Sequence, residues 1–211
     1  MCLNFYKKFG IIWGMQMKTI NYKNALWIII ALALLVFTIR WKITDSEFNT
    51  KFVFESRGHS VTGISFIGCV FCKYLWKFKI FRKWLVLIPD LNGEWEGVIN
   101  SDSIQPITFK ECKNKKTCLI VKQSLFKISC VMKTDEMKSH SINAGFIINE
   151  ENQKYQLIYS YLSNPKLPHY ISPVHFGTVL YELENQYDVN EMEGNYWTGR
   201  QTTGTISLKR K

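Results

Sequence analysis

From Pro89-Asp90 onward the chain never sustains a helical period. Eight β-rich runs follow instead: GEWEGVIN (93–100), CLIVKQS (118–124), FKISCVMK (126–133), SHSINAGFIIN (139–149), KYQLIYSYL (154–162), HFGTVLYEL (175–183), MEGNYWTG (192–199) and TGTISLKR (203–210). Turn-forming clusters separate them, namely KNKK, DEMK, NEENQ, SNPKLPHYISP and ENQYD. Eight strands at near-even spacing, joined mostly by short turns, predict an antiparallel up-and-down β-barrel. Closure removes exposed edges and leaves an interior for side chains or one small ligand. A sandwich of the same strands is the alternative fold.

The 211 residues carry a formal net charge of +10, which on its own suggests a nucleic-acid partner. Its distribution excludes that reading. Residues 1–89 hold 13 Lys/Arg against 3 Asp/Glu, whereas residues 90–211 hold 14 of each. The β-rich half is neutral overall, so neither a DNA nor an RNA duplex is an expected partner.

The basic half has a lipid partner instead. Between Lys23 and Arg40 lie 16 uncharged residues, NALWIIIALALLVFTI. As a helix they rise about 24 Å, a little short of the hydrocarbon core, and Lys23 and Arg40 can snorkel to make up the difference. Trp27 and Trp41 fall where interfacial aromatics belong. No small-residue cleavage site follows, which argues against a signal peptide. A second uncharged stretch, GHSVTGISFIGCVFC at 58–72, continues into KYLWKFKIFRKWL, where Lys73, Lys77, Lys79, Arg82 and Lys83 alternate with aromatics. Two transmembrane helices, at about 24–41 and 58–76, form a membrane helical hairpin within residues 1–88, ahead of a β domain at 89–211. Basic residues crowd both outer ends of the hairpin, so the N-terminus and the barrel are both expected on the cytoplasmic side of a multi-pass membrane protein. Lys73, Lys77 and Arg82 are then membrane-interface residues beside Trp27 and Trp41.

Little in the chain speaks for catalysis. The six cysteines lack the spacing of a secreted scaffold, and Cys69-x-x-Cys72 lies inside an apolar run without a second pair. Histidines 59, 140, 169 and 175 are scattered, and the acidic pairs Asp135-Glu136 and Glu150-Glu151 sit in turns. No phosphate-binding glycine loop occurs. The expectation is a protein that is not an enzyme, with no metal site and no cofactor.

LNGEWEG (91–97) and MEGNYWTG (192–199) both set an apolar residue, a glycine and an aromatic near the start of a strand. Gly93-Glu94-Trp95 resembles the Gly-x-Trp that plugs one end of lipocalin-like barrels, where an arginine from a late strand packs over the indole. Arg200 and Arg210 both qualify for that place. PDLNGEWEG, KTDEMKSHS, LIYSYLSNP, HFGT and EGNYWTGRQTTGTISL, behind two membrane segments, resemble the two-transmembrane β-barrel effectors of CBASS anti-phage systems, which are CD-NTase-associated. The likeness covers about residues 22–210. Residues 1–14 fall outside it, and Met15 or Met17 is a candidate start besides Met1. The resemblance implies a barrel that senses a cyclic oligonucleotide made by a CD-NTase on phage infection. It further implies ligand-driven homo-oligomerisation, disruption of the inner membrane and abortive infection, without enzymatic turnover.

A cyclic dinucleotide, as the activating ligand, presents two phosphodiester anions and two base faces. Its pocket needs a cation, several donors and aromatic planes. Strand alternation sets Gly194, Tyr196, Thr198 and Arg200 on one face if the strand stays regular, and it pairs Tyr159 with Tyr161. Thr178, His175 and Ser141 are further candidate donors. Two other functions compete: a membrane-anchored carrier of an apolar small molecule, and an anchor without ligand. Uniformly apolar lining would favour the carrier, which Tyr196, Thr198 and Arg200 argue against.

Overall fold

Most of the strand runs alternate inward and outward residues, which lets a single sheet close on itself here. A computed structural model describes residues 19–44, 50–101, 114–149, 152–166, 173–184 and 187–211. The three candidate starts, Cys2, Cys112, His169 and the Glu150-Glu151 pair lie outside the described residues. The chain divides into two compact units, with the boundary between Leu87 and Ile88.

The first unit holds helices α1 (Tyr22–Thr44) and α2 (Thr50–Lys73), which touch one another. Within α1, Tyr22–Lys42 is long and apolar enough to cross a membrane by length and composition, and its most apolar window is left unburied. Trp27 and Trp41 are exposed on it. The second helix differs from the sequence reading. It starts at Thr50 rather than 58, stops at Lys73 rather than 76, and only Val61–Lys73 is apolar. Beyond Lys73 lysines and aromatics alternate too closely to give a helix one apolar face. The chain passes instead through two 3-10 turns, Leu75–Lys77 and Lys79–Phe81. Lys77 lies 5.8 Å over the Trp76 ring, and Arg82 donates from Nη2 to the Lys77 carbonyl at 3.3 Å. Lys83, at φ 74, reverses the backbone so that its N–H meets the Val86 carbonyl at 3.2 Å.

The second unit is one closed antiparallel barrel in sequence order, so the sandwich alternative does not occur. Its strands are β1 (Gly93–Ser101), β2 (Lys115–Gln123), β3 (Ile128–Thr134), β4 (Met137–Asn149), β5 (Lys154–Pro165), β6 (His175–Glu182), β7 (Glu191–Thr198) and β8 (Thr203–Arg210). β2 and β4 begin inside the expected turns KNKK and DEMK. Their lysines continue the alternation, with Lys116 and Lys138 outward while Thr117 and Met137 are buried. Between Ser141 and Asn143 the register of β4 on β5 shifts by one residue. This bulge leaves Ile142 and Asn143 both exposed and lets the inward set resume at Ala144.

The two barrel ends differ in chemistry. At the end where β1 starts and β8 finishes, Trp95 is fully buried and its indole N–H donates to the Leu91 carbonyl at 3.0 Å. Trp95 pairs with Arg210 across β1–β8, and the guanidinium stands 4.6 Å over the ring. Arg210 also donates to the Asp90 carbonyl at 2.7 Å. Gln123 closes the same end, accepting from Leu91 N–H at 2.8 Å and donating to the Pro89 carbonyl at 2.8 Å. Inward from this plug the filling is Leu119, Val121, Leu157, Met192, Ile206 and Leu208, all buried. Apolar burial of this kind is the main source of barrel stability.

Candidate ligand-binding site

The opposite end, where β7 turns into β8, is lined with hydroxyls. Thr117, Ser163 and Thr198 are buried there, and Ser139 and Ser141 are half-buried. Ser139 Oγ donates to Ser163 Oγ at 2.9 Å across β4–β5. Ser141 Oγ accepts the Cys130 N–H at 2.9 Å, which ties that hydroxyl to the bulge.

An aromatic and cationic cluster adjoins these hydroxyls, with Tyr161 one inward position nearer the barrel middle than Ser163. Tyr161 is buried, and its ring meets the His175 ring edge-on at 6.4 Å. Gly177 faces Tyr161 across β5–β6, and a Cβ there would collide with the phenol ring. Gly204 makes the same room for Tyr196 across β7–β8. Both aromatic rings thus pack close to bare backbone.

Arg200 reaches this cluster by a different route from the one alternation suggests. β7 ends at Thr198, so Arg200 does not share its face; it stands exposed in the turn 199–202. The turn is fixed by Thr198 and Thr202, whose hydroxyls bond at 2.7 Å, while Thr198 N–H donates to the Thr202 carbonyl at 3.0 Å. Arg200 N–H donates to Thr198 Oγ1 at 3.3 Å. Thr198 therefore serves the turn that carries the arginine. From there the guanidinium acts on Tyr161 and His175 through space. Burial pushes the Tyr161 phenol up to about 12, with Tyr196 adding and the Arg200 cation opposing. Burial also lowers the His175 imidazole below its ordinary value; the bond to the Pro173 carbonyl opposes this, and Arg200 deepens it. In the neutral ring, Nδ1–H donates to Pro173 O at 3.0 Å, which leaves Nε2 as the free acceptor.

The structure thus gathers Tyr159, Tyr161, His175, Tyr196, Thr198, Ser141 and Arg200 into one half of the barrel. Thr178 stays apart. It lies on the outer face, where its hydroxyl pairs with Ser160 at 3.1 Å, because period-two alternation opposes it to buried Gly177 and Val179. Arg210, not Arg200, is the cation on Trp95. Thr117, Ser139, Ser163 and Tyr181 also face inward and were missed, although counting by two from Leu119, Ser141, Tyr161 and Val179 reaches each of them. A separate cleft of about 90 Å³ beside Ile88, Leu125 and Phe146 lies toward the plugged end. It is too small for a nucleotide.

Buried acids make the barrel alkali-sensitive. Burial pushes Cys130 up to about 12, as it does Tyr161, and it holds Tyr159 and Tyr181 above the usual phenol range. Unfolding returns these groups to ordinary values, so above pH ~9 the unfolded chain binds fewer protons than the folded one. Their stabilisation is complete below pH ~9 and drains away as pH rises toward 12. Thermal unfolding of the chain between pH 7 and 11 checks this; a melting temperature flat through pH 10.5 would contradict it.

A family model described as Cap15, cyclic dinucleotide receptor domain, matches residues 86–210. Three relatives carry the name CD-NTase-associated protein 15. The one from Staphylococcus schleiferi is 31% identical over 153 residues, covering 72% of this chain and 77% of the relative. That from Yersinia aleksiciae is 31% identical over 145 residues, covering 66% of this chain and 64% of its own length. The Escherichia albertii protein is 25% identical over 173 residues, 78% of this chain and 85% of the relative. The matched span takes in all eight strands of the barrel, and on that ground the chain belongs to the Cap15 cyclic dinucleotide receptor family.

Proposed function

We propose that the hydroxyl-lined end of the barrel binds a cyclic dinucleotide and that binding switches on a CBASS antiviral effector. Arg200 supplies a guanidinium for one phosphodiester, where a charge-assisted bond is strongest. Tyr161 and Tyr196 supply planes for the bases, and His175 Nε2 accepts from an exocyclic amine. The observation that carries this reading is the convergence of Tyr161, His175, Tyr196 and Arg200 at the unplugged end. A carrier of apolar molecules needs a uniformly apolar lining, whereas this end sets hydroxyls beside the buried Met132 and Met137. The relatives' shared name points to a CD-NTase as the source of the ligand. The barrel acts as a receptor rather than as a catalyst.

The output is membrane damage. Helices α1 and α2 cross the bacterial inner membrane as a hairpin, with the N-terminus and barrel in the cytoplasm and Lys73, Lys77 and Arg82 on anionic headgroups. Two helices cannot enclose a pore, so the ligand drives several chains to assemble, and the cell is lost before phage mature.

Titration of the detergent-solubilised chain with cyclic di-AMP, cyclic di-GMP and cyclic AMP–GMP tests the reading. At least one binds, and its affinity falls as pH drops from 8 to 5, because protonation of His175, held back by its lowered pKa, turns Nε2 from acceptor into donor and removes the bond to the amine. His175→Gln flattens that pH profile. Binding by none of the three sinks the proposal.

A further inference from the structure

Deeper in the barrel, two hydroxyls stand where a packed core has no use for them. Tyr159 and Tyr181 are among the most buried side chains, 2% and 0% exposed, and neither phenol oxygen has a hydrogen-bond partner of ordinary geometry. They lie on β5 and β6 two residues apart in register, with ring centroids at 6.2 Å, and each hydroxyl approaches the other in a geometry too poor to satisfy either. A buried polar group without a partner costs stability, and phenylalanine would fill the same volume at no such cost. The sequence nevertheless places tyrosine at both positions.

These hydroxyls connect to the cluster at the unplugged end through one line of rings. His175 meets Tyr161 at 6.4 Å, Tyr161 meets Tyr159 at 6.1 Å, and Tyr159 meets Tyr181 at 6.2 Å. Tyr161 lies between the turn that carries Arg200 and the buried pair, and across from it Gly177 presents no side chain.

We propose that the Tyr159 and Tyr181 hydroxyls form the floor of the ligand pocket, covered by the Tyr161 ring until a nucleobase displaces it and takes both as hydrogen-bond partners. The inference rests on the cyclic dinucleotide reading and deepens it. Each phenol can donate or accept, so the pair fits a base edge that offers a donor beside an acceptor, as purines do. The free energy held in two unsatisfied hydroxyls is released only when that edge arrives. Binding is thereby coupled to a rearrangement of Tyr161, which itself packs against His175.

Tyr159→Phe and Tyr181→Phe in the full detergent-solubilised chain test this through two readouts that move in opposite senses. Without ligand, each variant melts about 4 °C or more above wild type, because an unpartnered hydroxyl has left the core. With the cyclic dinucleotide that wild type binds, each shows about five- to tenfold weaker affinity, the loss of one hydrogen bond. A variant that fails to melt higher shows the hydroxyl already satisfied and overturns the proposal. Unchanged affinity in both variants overturns it as well, while leaving the receptor reading intact. If wild type binds no member of the panel, the receptor reading itself falls, and the floor with it.

Discussion

Trp95→Ala is expected to cost about 3–5 kcal/mol of barrel stability, the largest single effect in the molecule. The indole is wholly buried, its N–H is spent on Leu91 O, and Arg210 covers its face, so truncation opens a cavity and strands a cation. Domains of this size retain about 5–15 kcal/mol in total, so the variant sits near its folding threshold. Arg210→Ala should cost less, about 1–3 kcal/mol, from the lost cation–π contact and the bonds to Asp90 and Asn92. Near-UV circular dichroism during thermal unfolding reads both. The order of the two variants is the telling result. Equal losses would mean that the ion, not the buried ring, holds this end closed.

Arg200→Ala is expected to weaken cyclic dinucleotide binding about ten- to a hundredfold, the worth of a charge-assisted bond to a phosphodiester. The variant should still fold, since the turn is fixed by the Thr198 and Thr202 hydroxyls and their backbone groups. Arg200→Lys should restore part of the affinity, because an ammonium keeps the charge without the planar fork. Calorimetric titration at two salt concentrations reads the effect, and the wild-type advantage shrinks at the higher one. A variant that binds as tightly as wild type would remove the arginine from the site.

Period-two alternation made the barrel legible, and with it the shared inward face of Tyr159, Tyr161, Tyr196 and Thr198. It reached Arg200 for an incomplete reason. The strand stops two residues short, and what delivers the guanidinium is a turn closed by threonine hydroxyls. The partner of Trp95 was legible only as a pair of candidates, because a contact between residues 115 positions apart depends on the β1–β8 register, which no local pattern encodes. The start of α2 at Thr50 escaped for a different reason: apolar content marks where a helix meets lipid, and helices extend beyond that span. Thr178 shows the limit of residue type alone, as a hydroxyl on the wrong parity of its strand faces water.

Closure of β8 on β1 carries a consequence in time as well as in space. Tyr196 and Gly204 belong to the final two strands, and the plug cation Arg210 comes at the very end of β8. A ribosome delivers helices α1 and α2 first and the closing strands of the barrel last. Until β8 emerges and finds β1, a pairing of long sequence separation that is slow to form, the nascent chain holds its two helices without a closed barrel. A cyclic dinucleotide receptor domain built this way is therefore deaf to its ligand throughout its own synthesis.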